Sequence, residues 1–259
     1  MDAIIALEDV RFAYRGVSQY VFCGLDLSIP DGAFAVILGP NGTGKTTLLH
    51  LILGYQRPQH GKIYLAGELQ EQYTRREMSR LVGLVPQDEA VAFDFSVLEY
   101  TLLGRAPYIG PLDMPTDDDV RIAMEALEIA GVAHLCMRSI ISLSGGERQL
   151  VAIARSLAQQ PRILLLDEPT AHLDLSNRNR ILCVLRTLNR QGTTVVMSTH
   201  DPVAAAAVAD FVVLMRDGKV VEAGRPEDVF TAEKLSITYG VPVQVLRLEE
   251  QLIAFNPLS

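Results

Sequence analysis

The sequence predicts an α/β fold, in which a core of parallel strands is preceded by short strands and carries an inserted helical lobe. Three observations predict this fold. A glycine-rich loop at residues 39–47 separates an apolar strand from a short helix. Residues 88–160 change from strand-like alternation to helical periodicity. After this insertion, continuous apolar runs return, as expected for strands of a parallel sheet that is covered on both faces.

The chain before the glycine-rich loop is predicted to form short strands. Turns are expected at residues 15–16 and 30–32, because glycine and proline interrupt regular structure there. Tyr14 ends one of these strands and by itself is typical of a half-buried strand aromatic. The predicted strands cover residues 4–7, 10–14, 21–29 and 33–38.

Residues 39–47 match the pattern Gly-x-x-x-x-Gly-Lys-Thr in the strand–loop–helix context that this pattern requires. The glycines let backbone N–H groups point at phosphate oxygens, and the helix that begins near Lys45 adds its positive dipole end. Lys45 supplies a full charge for the β- and γ-phosphates, and the Thr46 hydroxyl can ligate Mg²⁺. A simple glycine turn does not explain the whole pattern, so we predict a nucleoside triphosphate site. Its residues are Gly39, Pro40, Asn41, Gly42, Thr43, Gly44, Lys45, Thr46 and Thr47.

Composition restricts the class of protein. The 259 residues are 49% hydrophobic, enough for a large core, and the net charge is −8. This negative charge, without any basic tract, argues against a nucleic-acid-binding protein. Cys23, Cys136 and Cys183 are widely spaced and odd in number, which favours free thiols over disulfides or zinc. No apolar run is long enough for a membrane span and no signal-peptide pattern is present, so we expect a soluble intracellular protein.

Apolar periodicity predicts the later elements. Residues 81–85 form an apolar strand that is followed by Gln87. Residues 116–119 have the spacing of a helix cap, and their three aspartates are explained more simply as first-turn carboxylates than as a metal cluster. Further strands are predicted at residues 61–65, 162–166, 193–199, 211–215, 220–223 and 243–248, with a helix at 177–188 and a hairpin turn at 217–218.

Two acids follow the strand at residues 162–166. Asp167 is placed to hold Mg²⁺, directly or through water, opposite the Thr46 hydroxyl. Glu168 is placed to polarise a water molecule for attack on the γ-phosphate. Two adjacent acids can also form a solvated turn, but the phosphate loop in the same chain favours a catalytic role.

Residues 143–149, Leu-Ser-Gly-Gly-Glu-Arg-Gln, open a second helix with an anion-binding N-terminus. One triphosphate does not need two such sites from one chain. We therefore expect this second site to bind a nucleotide that is held by another copy of the chain.

Together these segments resemble the nucleotide-binding subunit of ATP-binding-cassette (ABC) transporters, over nearly the whole chain. In that family, residues 39–47 correspond to the Walker A loop, residues 163–168 to the Walker B strand and residues 143–149 to the signature sequence. The other matching motifs are the Q-loop at Gln87, the D-loop at residues 171–174, the switch loop at residues 198–201 and an adenine-stacking aromatic at Tyr14.

The resemblance implies one nucleotide-binding domain over residues 1–259. Residues 1–87 and 161–225 are expected to form a P-loop (RecA-like) ATPase core with an N-terminal antiparallel β subdomain, and residues 88–160 an inserted α-helical subdomain with the signature motif. Residues 226–259 are expected to form a C-terminal helix and strand extension. His172 stands where a small residue is commoner in the family, and no chemistry is assigned to it.

The resemblance also implies a mechanism that uses ATP and Mg²⁺. Two subunits close head to tail, so that each ATP lies between one Walker A loop and the signature sequence of the other subunit. The implied catalytic residues are Lys45, Gln87, Glu168 and His200; the implied Mg²⁺ ligands are Thr46, Gln87 and Asp167; and Tyr14, Ser144, Gly145, Gly146 and Asp174 join the Walker A residues in binding ATP.

Segments outside the shared motifs resemble importers of metal chelates, the group that takes up iron–siderophores, haem and cobalamin; related systems import molybdate or tungstate. A subunit of this kind lies on the cytoplasmic face of a bacterial or archaeal cell membrane and contacts a transmembrane permease, which in turn receives cargo from a substrate-binding protein.

We expect the permease contact near residues 93–108, whose aromatic residues serve either as contact or as core. A soluble ABC ATPase outside transport is a further alternative. The resembling segments are residues 80–87, 97–108, 171–175 and 239–243.

Overall fold

The computed structural model describes residues 3–87, 89, 93–171, 173–248 and 251–255. The chain divides into two compact units: the first contains residues 1–73 and 194–259, and the second contains residues 74–193.

Both units contain helices and strands. The first unit begins with β1 (Ala3–Phe12), β2 (Phe22–Pro30), β3 (Phe34–Leu38), α1 (Lys45–Ile52), β4 (His60–Leu65) and β5 (Glu68–Leu69). The second unit contains α2 (Arg75–Leu81), β6 (Val82–Val85), α3 (Val97–Leu102), α4 (Asp117–Ile129), α5 (Gly145–Ala158), β7 (Ile163–Asp167) and α6 (Leu175–Arg190). The chain returns to the first unit with β8 (Thr194–Thr199), α7 (Pro202–Val208), β9 (Phe211–Arg216), β10 (Lys219–Gly224), α8 (Pro226–Val229), α9 (Ala232–Tyr239), β11 (Gln244–Leu248) and β12 (Gln251–Phe255).

The N-terminal strands form an antiparallel sheet in the order β2-β1-β4-β5. The prediction of two separate strands before residue 15 was wrong, because β1 is one strand with a bulge at Asp9, whose φ is 45°. Pairing with β2 skips from Leu7 to Val10, and the Asp9 N–H donates to Asp26 Oδ1 at 2.8 Å. One inserted residue interrupts the alternation of apolar side chains, so the pattern looked like two strands. Tyr14 lies beyond the end of β1.

A second sheet in the first unit supports the phosphate loop. Its strands lie in the order β10-β9-β3-β8, and the wholly buried β3 runs parallel to both β8 and β9. The predicted hairpin between β9 and β10 is confirmed: Asp217 and Gly218 take φ angles of 49° and 70°, as the favoured two-residue turn requires.

The second unit pairs β6 parallel to β7 and buries one face of α4 and α5, including Leu127, Leu150 and Ile153. Thr116 and Asp119 form the predicted capping box at the start of α4. Asp119 is buried and also accepts a hydrogen bond from Arg105 Nε at 2.9 Å. The aspartates at this helix start are therefore first-turn carboxylates, as predicted.

The C-terminal segment differs from the prediction in two elements. We expected one helix and one strand, but the segment contains two short helices, α8 and α9, and β11 pairs with a second strand, β12, as an antiparallel hairpin. Among the residues that the structure describes, no helix combines the length and the apolar character that a membrane crossing requires.

Candidate functional site

The phosphate loop, residues 39–47, joins the buried end of β3 to α1. Gly44 is the N-cap of α1 with φ of 98°, a left-handed conformation that favours glycine. Because Gly44 has no side chain to cap the helix, the first N–H groups of α1 are left for an anion. Gly39 is required for a different reason: a Cβ atom there would lie 2.2 Å from the carbonyl oxygen of Met215.

Lys45 provides the positive charge of the phosphate loop from a buried position. Its side chain is 5% exposed, and Nζ donates to the carbonyl oxygens of Gly39 and Pro40 at 2.9 and 3.0 Å. These carbonyls stabilise an ammonium group that burial would otherwise penalise. Thr46 follows Lys45 in the first turn of α1 and is exposed. A buried cation, helix N–H groups without a side-chain cap and an exposed hydroxyl fit a triphosphate with Mg²⁺.

Tyr14 lies beside the same loop. Its hydroxyl is 2.9 Å from Thr47 Oγ1, and its ring meets Phe12 edge to face with a centroid distance of 5.0 Å. The residue is 40% exposed, so part of the ring is open to a ligand. The sequence pattern alone favoured a strand residue. The structure instead places Tyr14 outside β1, with its hydroxyl bonded to Thr47 of α1.

His200 follows β8 and is exposed. Leu38 of β3 is the register partner of Thr199 in β8, and the Gly39 N–H donates to the Thr199 carbonyl at 3.4 Å. The residue before His200 therefore contacts the first residue of the phosphate loop. The next residue, Asp201, accepts hydrogen bonds from the first N–H groups of α7 and caps that helix.

In the second unit, Asp167 and Gln87 follow neighbouring strands. Val85 pairs with Leu166 in parallel register, so β6 and β7 end at the same edge. Asp167 is 5% exposed at the end of β7, and Gln87 is exposed beyond β6. Glu168 is half-buried and has φ of 45°. A left-handed conformation is strained for a non-glycine residue and is frequent at functional sites.

The signature segment, residues 143–149, begins α5 with a capping box. Ser144 Oγ accepts from the Glu147 N–H at 3.3 Å, and Glu147 Oε2 accepts from Ser144 N and Oγ at 2.9 and 2.8 Å. These bonds, first from the Ser144 backbone and then from its side chain, lower the pKa of the Glu147 carboxyl. We did not predict a role for Glu147, although the Ser-x-x-Glu spacing was the available signal.

Asp174 connects the D-loop to the signature segment through Asn177. Asp174 caps α6, with Oδ1 accepting from Asn177 N at 2.8 Å and Oδ2 accepting from Asn177 Nδ2 at 3.0 Å. The same Asn177 side chain lies against Gly146, where a Cβ atom would come within 2.6 Å of Asn177 Cγ. Both predicted contacts with a second nucleotide are thus packed together in one unit. His172 lies outside the residues that the structure describes.

Glu89, two residues after Gln87, was missed by the sequence analysis. Its carboxylate accepts hydrogen bonds from the Tyr100 hydroxyl and from Arg155 of α5. The Arg155 guanidinium also lies 4.9 Å from the centroid of the Tyr100 ring, and burial is the main cause that raises the pKa of Tyr100. This cluster ties the segment after β6 to the helix that begins with the signature segment.

The aromatic residues near residues 93–108 differ in their exposure to solvent. Tyr100 is 3% exposed and belongs to the core, whereas Phe93 is 69% exposed. Tyr108 is half-buried beneath the Arg105 guanidinium, which lies 4.0 Å from the ring centroid. Within the described part of the chain, no cluster of three or more metal-ligating side chains is found.

Comparison with known proteins gives consistent matches. The family model described as ABC transporter matches residues 22–171. The hemin import ATP-binding protein HmuV of Gloeobacter violaceus is 40% identical, across 92% of this chain and 87% of that protein. The ferric enterobactin transport ATP-binding protein FepC of Escherichia coli is 37% identical, across 94% of this chain and 89% of that protein. The molybdate import ATP-binding protein MolC of Haemophilus influenzae is 35% identical, across 94% and 90%.

Solved structures agree with these relatives. An inward-facing ABC transporter of metal-chelate type matches with a TM-score of 0.86 and 33% identity, covering 100% of this chain and 98% of that one. The dimeric structure of the bacterial ABC transporter cassette MJ0796 matches with a TM-score of 0.75 and 30% identity, covering 85% and 98%.

Proposed function

Because this chain belongs to the ABC transporter family, as an ATP-binding subunit whose ATPase activity is coupled to transport, we propose that it energises the import of a metal chelate. One observation carries this proposal: a hemin importer subunit, a ferric enterobactin importer subunit and a transporter of metal-chelate type all align with more than 90% of the chain. The expected cargo class is an iron–siderophore, haem or cobalamin.

A second cargo class is favoured by a separate match. The molybdate importer subunit of Haemophilus influenzae is 35% identical and covers as much of the chain as the enterobactin relative does. Molybdate or tungstate is therefore the alternative cargo. A soluble ABC ATPase outside transport is the weakest alternative, because the named relatives are import or transport subunits.

We propose that the phosphate loop binds ATP. Lys45 neutralises the β- and γ-phosphates, the loop N–H groups bind phosphate oxygens, and the exposed part of the Tyr14 ring stacks on adenine. Bound Mg²⁺ would offset the negative charge of the phosphates. Thr46, Gln87 and Asp167 are its proposed ligands; their oxygens suit this cation.

We assign the hydrolytic roles to Glu168 and His200. The Glu168 carboxylate accepts a proton from the attacking water, and the backbone strain at this residue supports a functional role. His200 contacts the γ-phosphate, and the Gly39–Thr199 hydrogen bond beside it supports that role. Lys45 and Gln87 assist by binding the phosphates and orienting water.

We propose that two copies of the chain form the working unit. Ser144, Gly145 and Gly146 of one copy bind the nucleotide on the phosphate loop of the other, together with Asp174. The dimeric structure of a related cassette supports this arrangement, and the contact between Asn177 and Gly146 holds Asp174 near the signature segment of the same copy. The predicted organisation of the chain as one nucleotide-binding domain stays a prediction. Its parts are the core at residues 1–87 and 161–225, the helical subdomain at residues 88–160 and the C-terminal extension at residues 226–259.

A permease docks, in this proposal, on the part of the second unit that exposes Phe93. The subunit then lies at the cytoplasmic face of a bacterial or archaeal membrane, and a substrate-binding protein delivers cargo on the far side. No nucleic-acid partner is expected, because the chain has a net charge of −8.

The test is to purify the tagged chain in mild detergent from its native membranes and to identify the proteins that accompany it. A many-helix permease is expected, and deletion of the chain should abolish uptake of labelled iron–siderophore, hemin, cobalamin or molybdate. Re-expression of the parent chain should restore uptake of one cargo, and re-expression of the Glu168→Gln variant should not. Recovery of an exclusively soluble complex, with uptake of all four cargoes unchanged in the deletion strain, would contradict the importer assignment.

A further inference from the structure

The last residue of α9, Tyr239, contacts the residue that we assign to the γ-phosphate. The Tyr239 hydroxyl donates a hydrogen bond to the His200 carbonyl oxygen at 2.9 Å. Tyr239 begins the segment 239–243, which resembled metal-chelate importers in sequence but has no role in the ATP site proposed above. The hydrogen bond gives this segment a specific connection to the site.

The helix that carries Tyr239 is held firmly. Leu235 and Thr238 of α9 are fully buried, and Lys234 Nζ lies 2.9 Å from Glu222 Oε2 of β10. Arg216 of β9 donates a hydrogen bond to the Ile237 carbonyl. Because α9 is bonded to both β9 and β10, the position of the Tyr239 hydroxyl is fixed by the sheet.

The backbone on either side of His200 is held by other contacts. The Thr199 carbonyl accepts from Gly39 N at 3.4 Å, and Thr199 Oγ1 accepts from Asp201 N at 3.1 Å. Asp201 Oδ1 accepts from Val203 N at 2.8 Å. The Tyr239 bond adds a contact at the His200 carbonyl itself.

We propose that Tyr239 is a positioning residue for His200, and that it holds the switch-loop peptide so that the imidazole reaches the γ-phosphate. The inference rests on the role assigned to His200 under the proposed function. The Tyr239 phenol is suited to this task because burial, with a smaller effect of the nearby Asp201 charge, raises its pKa. The group therefore stays protonated and remains a hydrogen-bond donor at neutral and alkaline pH.

The test compares Tyr239→Phe with Tyr73→Phe. Tyr73 makes the same kind of bond in the same unit, from its hydroxyl to the Leu65 carbonyl at 2.8 Å, and has no assigned role in ATP chemistry. Tyr239→Phe should lower kcat for ATP about five-fold with KM unchanged, the size expected for the loss of one neutral hydrogen bond. Tyr73→Phe should lower the thermal stability by about as much as Tyr239→Phe does, but should keep the parent kcat.

A double variant separates positioning from general stability. If Tyr239 acts through His200, Tyr239→Phe should not lower kcat further in a His200→Ala background. An equal fractional loss in both backgrounds, or a parent kcat in the folded Tyr239→Phe variant, would overturn the positioning role. The proposed function fails in a different way, namely if His200→Ala hydrolyses ATP at the parent rate.

Discussion

The Tyr14 hydroxyl lies 2.9 Å from Thr47 Oγ1, so an aromatic residue beyond β1 is hydrogen-bonded to the helix that begins at the phosphate loop. This bond orients a ring that is 40% exposed and is available to stack on a base. The residues proposed to contact adenine and phosphate are therefore joined by a hydrogen bond within the first unit.

Replacing Tyr14 should separate stacking from the hydroxyl bond. Tyr14→Ala should weaken ATP binding about ten-fold, because one base–aromatic stack is lost. Tyr14→Phe keeps the ring and should weaken binding by no more than about three-fold, the lower end of the range for a neutral hydrogen bond, because the lost bond is to Thr47 and not to the nucleotide. Isothermal titration calorimetry with ATP measures both. Equal losses in the two variants would show that the hydroxyl bond, and not stacking, is what matters.

Glu168→Gln should abolish hydrolysis while leaving ATP bound. Removal of a general base typically costs about 100-fold or more in rate, and the amide keeps the shape of the side chain. Because ATP still binds and is no longer hydrolysed, the variant should accumulate as an ATP-bound dimer on size-exclusion chromatography. Glu128→Gln, a change at an exposed position of α4, is the control and should hydrolyse ATP as the parent does. Parent-like hydrolysis by Glu168→Gln would remove the residue from its assigned role.

The two glycines of the signature segment should differ in their effect on folding. A Cβ atom at Gly146 would lie 2.6 Å from Asn177 Cγ, whereas nothing lies within 4 Å of a Cβ atom at Gly145. Gly146→Ala should therefore lower the free energy of unfolding by about 1–3 kcal/mol, as overpacking usually does. Gly145→Ala should keep parent stability, and Asn177→Ala should restore part of the stability lost in Gly146→Ala. Thermal denaturation provides the comparison; equal stability of the two glycine variants would contradict the contact.

The buried pair of Arg105 and Asp119 should make stability depend on pH. Hydrogen bonds from Thr116, first from its backbone, and from Arg105 hold the pKa of Asp119 below its usual range. A depressed carboxyl pKa contributes stability that is complete above the unfolded value of about 3.9 and is lost as the pH falls through the folded value. Asp119→Asn should be destabilised by about 3 kcal/mol at pH 6, because it leaves the buried Arg105 without its counter-charge.

The measurement for this pair is urea denaturation of the parent and the Asp119→Asn variant between pH 3 and 6. The difference between them should shrink as the pH falls below about 4. Asp117→Asn, an exposed change in the same helical turn, should differ from the parent by less than about 1 kcal/mol at every pH, the size of a helix-dipole effect. A difference that stays constant over this range would show that packing, and not charge, stabilises the pair.

Local signals in the sequence were sufficient for several features. The phosphate loop was predicted from its glycines, its lysine and the flanking strand and helix, and the Asp217-Gly218 hairpin from a turn pair that accepts positive φ. The Thr116–Asp119 capping box was likewise predicted from spacing. Each of these depends on residues that are neighbours in the chain, so short-range sterics and hydrogen bonding determine them.

The bulge at Asp9 and the strand β12 were not predicted. Alternation of apolar residues cannot distinguish one bulged strand from two short strands, because only pairing with β2 and β4 decides whether the chain continues. The role of Glu89 was missed for a related reason: its partners, Tyr100 and Arg155, lie on two different helices.

The sequence by itself determined the fold class, the family motifs and the residue types that suit ATP chemistry. Only the tertiary structure decided that Tyr14 bonds to Thr47, that Asn177 lies against Gly146 and that Tyr239 holds the His200 peptide. These pairs join segments whose proximity depends on which strands and helices become neighbours. Local propensity and periodicity carry no information about that choice, because burial of the whole core selects it.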